Sequence, residues 1–491
     1  MKSKFSKVLS ILLSVVLVIS SFYLLYQVIR LNVLPSKFLF PLTIGVVVLD
    51  AIFILLLIYF SKNVVSKIVC IVLTLFICVA SCMGGYYISK TQNVLSNITN
   101  VAKHAKNTVS VIVKESSSIK NKSQLNDVSV GSLRLNEQGS KKVLKELSGE
   151  GIVLNQTEYD SMTALLEAFY NGEVDSIIIN ESSRSQILDM EAYSNFDSNT
   201  RVVYQTSYKV KNNDSATSVS DITSKPFNVL ISGSDTRGGF DENGRSDVIM
   251  IATVNPKTHT ILLTSVPRDF YVTTACDAGD GCMQGALDKI THTGIHGTNT
   301  TKRTVEQLLG IEINYTFKVG FDTVTELVDV LGGVDVYVEP GYATTTSEFS
   351  VHEGVNHLNA QQALAFARER YSYTEGDRQR TKNQQQVLMG IVKEATKPSV
   401  ITNYAAIMDT MANTFSTTMS NAEITDLIKY QLNNNPTWKM EQYMVDGTGD
   451  TLMCAELGDA ASVMVPDQST VKMAKDKINA VLAGKSSEDV K

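Results

Sequence analysis

Apolar positions along the chain fall into two regimes. Over the first ninety residues they run almost without interruption, and beyond that they recur with the periods of strands and helices. Three long apolar runs come first: "VLSILLSVVLVISSFYLLYQVI" at 8–29, "LFPLTIGVVVLDAIFILLLIYF" at 39–60 and "VVSKIVCIVLTLFICVASCMGGYYI" at 64–88. Each is long enough to cross a hydrocarbon layer of about 30 Å as a helix. The first is too long for the core of a cleaved signal, and no small-residue cleavage pattern follows it. Residues 1–90 are therefore expected to form a three-helix membrane anchor. An odd number of crossings separates the two ends, and Lys2, Lys4 and Lys7 favour a cytoplasmic N-terminus. That orientation puts the large C-terminal region on the extracellular, cell-wall side. Asp50, in the middle of the second run, reads as a neutral carboxyl bonded to a neighbouring helix.

From 91 to 225 the pattern is polar but periodic. "SLRLNEQGSKKVLKEL" and "YDSMTALLEAFYNGEVDSIIIN" each pass between strand and helix periods, with a helix stop at Asn171 and Gly172 and a strand in "VDSIIIN". The stretch is expected to be a small α/β accessory domain. It ends in a linker, 209–226, rich in Ser, Asn, Asp and Thr and closed by Pro226. A second α/β unit, 226–491, follows, with strands in "FNVLIS", "DVIMIATV", "TILLTSV" and "VDVYV". Helices are expected in "TKRTVEQLLG", "FDTVTELVDVLGG", "LNAQQALAFARER" and "DRQRTKNQQQVLMGIVKEAT", with further helices toward the C-terminus.

Charge and cysteines alter this picture only locally. With 44 Lys and Arg against 50 acidic residues, the chain lacks the basic excess of a bulk nucleic-acid binder. Cys276 and Cys282, in "CDAGDGC", are spaced for a disulfide in an oxidising compartment or for two free thiols elsewhere. His292 and His296 have a ligand-like spacing, but they lie in a loop-like stretch with no third ligand nearby in sequence.

The concentrated chemistry lies in "GSDTRGGFDENGRSD", where Asp235, Arg237, Asp241, Glu242, Arg245 and Asp247 crowd the gap between two apolar strands. Arg268 and Asp269 follow a third strand at Pro267, so all of these groups gather at one end of neighbouring strands, where α/β sheets bind ligands. Arg368 and Arg370 are two apart, and Arg380 and Gln384 share a helix face. Converging arginines grip phosphate oxygens bidentately, while Asp235 and Asp247 offer oxygens to a hard divalent cation. The competing reading is a set of surface ion pairs.

The blocks "NVLISGSDTR", "GRSDVIMIATVNPKTHTILLTSVPRD", "ALAFARERY" and "GDRQRTKNQQQVL" occur in an order that resembles the LytR-CpsA-Psr family, in its capsule-biosynthesis CpsA branch. The resemblance covers about 226–390, and the three spans and accessory domain are similar to that branch as well. It implies an α/β core with a central mixed sheet flanked by helices. The implied activity is a membrane-anchored phosphotransferase that joins capsular polysaccharide, or a related glycopolymer, from a polyprenyl-pyrophosphate carrier to peptidoglycan with Mg2+. Matched motif by motif, Asp235 and Asp247 are the implied metal ligands, and Arg245, Arg268, Arg368, Arg370, Arg380 and Gln384 the implied pyrophosphate-binding set. Arg268 and Asp247 are the implied catalytic pair. Asn383 departs from the pattern, since an arginine is expected immediately before the glutamines. The implied partners are the carrier-linked polysaccharide, peptidoglycan, the membrane and other capsule-synthesis membrane proteins, without nucleic acid. Two alternatives stay open: a regulatory membrane protein sensing polymer or lipid, and a hydrolase of polyprenyl pyrophosphate lipids.

Overall fold

Strand residues of "NVLIS", "VIMIATV" and "TILLTS" are buried almost without alternation, as expected for strands covered on both faces. In a computed structural model these strands form the middle of a six-stranded mixed sheet. The structure describes residues 2–60, 63–101, 104–211, 214–234, 242–277, 281–397, 406–407, 410 and 415–491. The sheet order is Phe415–Thr417, Tyr315–Gly320, Phe227–Ser234, Val248–Asn255, Thr260–Ser265 and Lys439–Met444. Tyr315–Gly320 runs parallel to Phe227–Ser234, and Lys439–Met444 runs parallel to Thr260–Ser265. The three central strands form an antiparallel meander.

Helices Thr298–Leu309 and Gln468–Leu482 pack an apolar cluster that includes Leu230, Ile251, Leu262, Val305, Leu309 and Ile478. A second cluster joins helices Phe321–Leu331, Ala360–Arg368 and Asp377–Ala395 to the paired strands Val334–Val338 and Gly354–Leu358. Helix Ala360–Arg368 starts in a reciprocal capping box between Asn359 and Gln362. The buried Gln385 ties helix Asp377–Ala395 to the sheet, donating to Ser265 Oγ and to the Tyr443 carbonyl at 2.8 Å each.

The accessory module has its own five-stranded sheet, ordered Leu154–Tyr159, Val128–Leu133, Ser176–Asn180, His104–Lys114 and Thr200–Lys211. Phe169, Ile177 and Ile112 belong to one of its apolar clusters, and Val109, Val111 and Leu147 to the other. Helix Met162–Asn171 stops at Gly172 in the left-handed region, as the sequence signals.

Two expectations need correction. The linker does not begin at 209, because Thr200–Lys211 pairs with His104–Lys114 and the strand continues to Lys211. The C-terminal region is also not simply helical. Besides helices Asn421–Asn434 and Gln468–Leu482, it holds the sheet strand Lys439–Met444 and the antiparallel pair Gly447–Cys454 and Asp459–Pro466. Most positions in these strands are exposed or half-buried, so they carry little hydrophobic period.

The anchor contains three helices long and apolar enough to cross a membrane, Lys7–Leu31, Ser36–Phe60 and Val64–Thr99. Asp50 accepts a bond from Ser21 Oγ on the first helix at 2.9 Å, as its position suggested. The unit that contains these helices also contains helix Asn421–Asn434. There Lys429 Nζ bonds to Asn32 Oδ1 at 2.7 Å, and Lys37 bonds to the Asn433 carbonyl.

Candidate active site

Asp247 and Arg268 meet because each lies at the end of an antiparallel strand pair. The Asp247 amide donates to the Gly233 carbonyl at 2.8 Å, and Val266 N donates to Ile249 O at 2.9 Å. Across this strand end Arg268 Nη1 donates to Asp247 Oδ1 at 2.7 Å, and Arg245 Nε lies 3.9 Å from the same oxygen. The start of helix Asp377–Ala395 closes the cavity, which is lined by Asp247, Arg268, Asp377, Arg380, Thr381 and Gln384 among others.

A network of small hydroxyls fixes the segment bearing Arg245 and Asp247. Ser246 Oγ lies 2.9 Å from Ser232 Oγ and 3.0 Å from Thr301 Oγ1, and Thr293 Oγ1 donates to Thr301 Oγ1 at 2.9 Å. All four residues are buried. The Ser246 amide donates to the Thr291 carbonyl at 2.9 Å. Gly294 packs so closely that an added Cβ would lie 2.5 Å from Gly244 O and from Ser246 N. The motif reading missed this support. Its only signal was the density of Thr and Gly in "ITHTGIHGTNTT", which looked like a loop and forms instead a 3-10 turn, Ile290–His296, leading into helix Thr298–Leu309.

Each of the three arginines Arg245, Arg268 and Arg380 has a carboxylate partner, yet their donors are not all hydrogen-bonded. The Nε atoms of Arg245, Arg268 and Arg380 are all buried without a hydrogen-bond partner. Buried guanidinium donors without hydrogen bonds are costly; Arg268 and Arg380 line the cavity, and Arg245 lies beside Asp247. Burial pulls the Arg268 basicity down, but Asp247 and Asp269 outweigh it and the net shift is upward. Arg380 is shifted downward by burial, and the charges of Arg268 and Arg370 add to that shift against the pull of its ion-pair partner Asp377. Arg380 thus has both cations, Arg268 and Arg370, and carboxylates, Asp377 and Asp247, within electrostatic reach.

Asp247, Arg268, Arg380 and Gln384 share one cavity, and Arg245 adjoins Asp247. Arg370 is within electrostatic reach of Arg380, and its Nη2 bonds to Tyr371 Oη at 2.6 Å. Arg368 ends its helix at an exposed position outside the cavity lining. Asp235 lies outside the described residues. Asn383 is turned away from this chemistry: it is buried, its Nδ2 donates to the Phe366 carbonyl at 3.1 Å, and its Oδ1 accepts from Gln379. The departure at that position therefore pins one helix to another.

The two histidines of "HTGIH" each have an acidic partner. His292 Nδ1 lies 2.7 Å from Asp288 Oδ1, and His296 Nε2 lies 2.9 Å from Glu456 Oε2. Among the described residues no group of three or more His, Cys, Asp or Glu could hold a metal ion. Cys276 and Cys282 form a disulfide.

Comparison with known proteins shows the family. The LytR_cpsA_psr family profile matches residues 192–480. The polyisoprenyl-teichoic acid--peptidoglycan teichoic acid transferase TagU of Bacillus cereus (strain AH820) is 31% identical over 241 residues, covering 48% of this chain and 76% of that protein. The solved structure of B. subtilis TagU, 28% identical, covers 52% of this chain and 97% of its own, with a TM-score of 0.41. That of protein gbs0355 from Streptococcus agalactiae, 25% identical, covers 53% and 89%, with a TM-score of 0.45. With the family profile spanning more than half its length, the chain belongs to the LytR-CpsA-Psr family.

Proposed function

We propose that this protein is a membrane-anchored phosphotransferase that moves a glycopolymer, of the capsular-polysaccharide class, from a polyprenyl-pyrophosphate carrier to peptidoglycan. The observation carrying this reading is a set of buried Nε donors without hydrogen bonds, those of Arg268 and Arg380 lining the cavity and that of Arg245 beside Asp247. A pyrophosphate supplies acceptor oxygens for these donors. Gln384 and Arg370 extend the grip, and Arg368 is a contact for the outer part of the substrate.

A divalent cation fits this donor set. Asp247 and Asp377 both line the cavity, and Mg2+ is commonly held by one or two carboxylates together with substrate phosphates and water. Asp247, with Asp235, would hold it, and the ion would supply charge neutralisation at the phosphate oxygens.

In the transfer, an acceptor hydroxyl oxygen of peptidoglycan bonds to the phosphorus that carries the polymer. The bond from that phosphorus to the bridging oxygen breaks, polyprenyl phosphate leaves, and the hydroxyl proton is released. The polymer ends as a phosphodiester. Such chemistry needs positioning and charge stabilisation more than a protein nucleophile, and Arg268 is placed to hold charge that develops on the phosphoryl oxygens.

The Cys276–Cys282 disulfide supports placing this domain outside the cytoplasm, as do the lysines before the first span. A tether in the same leaflet as the carrier raises the effective concentration of a lipid-borne substrate.

The test is calorimetric binding of farnesyl pyrophosphate and farnesyl monophosphate to the full chain in nanodiscs, with and without MgCl2. The expected result is magnesium-dependent binding of the pyrophosphate at least about tenfold tighter than that of the monophosphate. Equal affinity for the two, or none for either, would defeat the proposal.

A further inference from the structure

The accessory module reaches into the site from two sides. Asp189, the last residue of its short helix Arg184–Asp189, forms an ion pair with Arg245 Nη1. Strand His104–Lys114 takes hold of the same segment three residues earlier. Glu242, buried, bonds to Thr108 Oγ1, lies 3.5 Å from Lys106 Nζ and forms a parallel bridge with Lys106.

These contacts rest on a fixed interface. Met190, next to Asp189, packs against Cys454, Leu457 and Val463 of the core. Thr163 donates from both its amide and its hydroxyl to the Leu457 carbonyl at 3.2 Å. Within the same helix Arg184 is satisfied by Glu181 and Asp197, so the charge of Asp189 is directed to Arg245.

A guanidinium held at Nη1 keeps its other edge, Nε with Nη2, for a second acceptor. In Arg245 that Nε is buried, has no hydrogen-bond partner and lies beside Asp247. We infer that Asp189 of the accessory module is a positioning residue for the pyrophosphate site, orienting Arg245 so that its Nε–Nη2 edge faces a diphosphate of the carrier lipid. This rests on the reading of the cavity as a pyrophosphate site. It gives the accessory module a part in substrate binding, acting through Arg245 with no direct contact to the substrate.

The experiment is a double-mutant cycle on the full chain in nanodiscs, with farnesyl pyrophosphate and magnesium, using Asp189→Ala, Asp189→Asn, Arg245→Gln and the double variant Asp189→Ala with Arg245→Gln. Asp189 is mostly exposed, so thermal midpoints should match the wild type. Asp189→Ala is expected to weaken binding about five- to twentyfold, and Asp189→Asn, which keeps an acceptor oxygen, should recover part of that loss. In the Arg245→Gln background Asp189→Ala should have no further effect. Unchanged or tighter binding by Asp189→Ala, or losses at the two positions that multiply independently, would overturn the inference while leaving the site in place. A wild type that binds no farnesyl pyrophosphate would overturn both.

Discussion

Arg268→Lys separates charge from geometry at the centre of the cavity. Arg268 pairs through Nη1 with Asp247 at 2.7 Å, and its buried Nε makes no hydrogen bond and lies 3.9 Å from Asp269 Oδ2. A lysine keeps a cation against Asp247, and Arg245 Nε stays 3.9 Å from the same carboxylate, so the local charge balance survives. The lost Nε donor makes no hydrogen bond, and Asp269, 3.9 Å from it, keeps Lys289 at 3.4 Å. Folding stability should therefore change by less than about 1 kcal/mol. Binding should respond differently, because the lost donors are those a phosphate would use. One or two charge-assisted bonds at about 1.5 to 3 kcal/mol each correspond to a loss of roughly 10- to 100-fold or more in affinity for a polyprenyl pyrophosphate. Arg268→Ala removes the cation too, strands Asp247 with a more distant partner and should cost about 1 to 3 kcal/mol of stability as well as binding. Chemical denaturation and calorimetry on the same samples read the two quantities. Wild-type affinity in Arg268→Lys, or a stability loss as large as its binding loss, would refute the assignment of these donors to a ligand.

Three other consequences can be measured independently. Gly294→Ala should push the Gly244–Ser246 backbone out of place, costing about 1 to 3 kcal/mol and weakening pyrophosphate binding more than tenfold; unaltered binding would contradict the supporting role of this turn. Burial pushes the Glu441 carboxyl up, but Lys439 and bonds from Ser486 and Ser487 outweigh it and hold it at about 2, below its ordinary 4.5. Its contribution to stability, on the order of 2 kcal/mol after allowing for the half-exposed Lys439, is present above pH 4.5 and lost as the pH falls toward 2. Relative to Glu441→Gln the wild type should lose stability across that window, and parallel curves would show that the clamp carries no such energy. Burial also pushes the Cys454 thiol up to about 12, so maleimide at pH 7.5 should modify the Cys454 peptide only after unfolding; stoichiometric labelling of native protein would refute that burial.

The sequence made the chemistry more legible than its support. Asp247, Arg268, Arg380 and Gln384 could be brought to one place because each lies at an end of an apolar strand or in the first turns of a helix. Ser232, Ser246, Thr293 and Thr301 left no such trace, since a hydroxyl that bonds another hydroxyl across the fold has no period and no motif. The meander strands were visible as continuous apolar runs, whereas Lys439–Met444 and the pair Gly447–Cys454 and Asp459–Pro466 mix exposed and half-buried positions and show no such run. The contact between Asp189 and Arg245 joins residues 56 apart in sequence and depends on how two α/β modules dock, which neither module's pattern encodes.

The measurement closest to the central claim is transfer itself. The full chain would be reconstituted in liposomes with a polyprenyl-pyrophosphate-linked glycopolymer, magnesium and peptidoglycan oligomers, and the products resolved by mass spectrometry. The account predicts polymer joined to peptidoglycan through a phosphodiester, with one polyprenyl phosphate released per linkage and neither product formed by Arg268→Ala. Polyprenyl phosphate released with free, unattached polymer, or no turnover by the wild type, would contradict it.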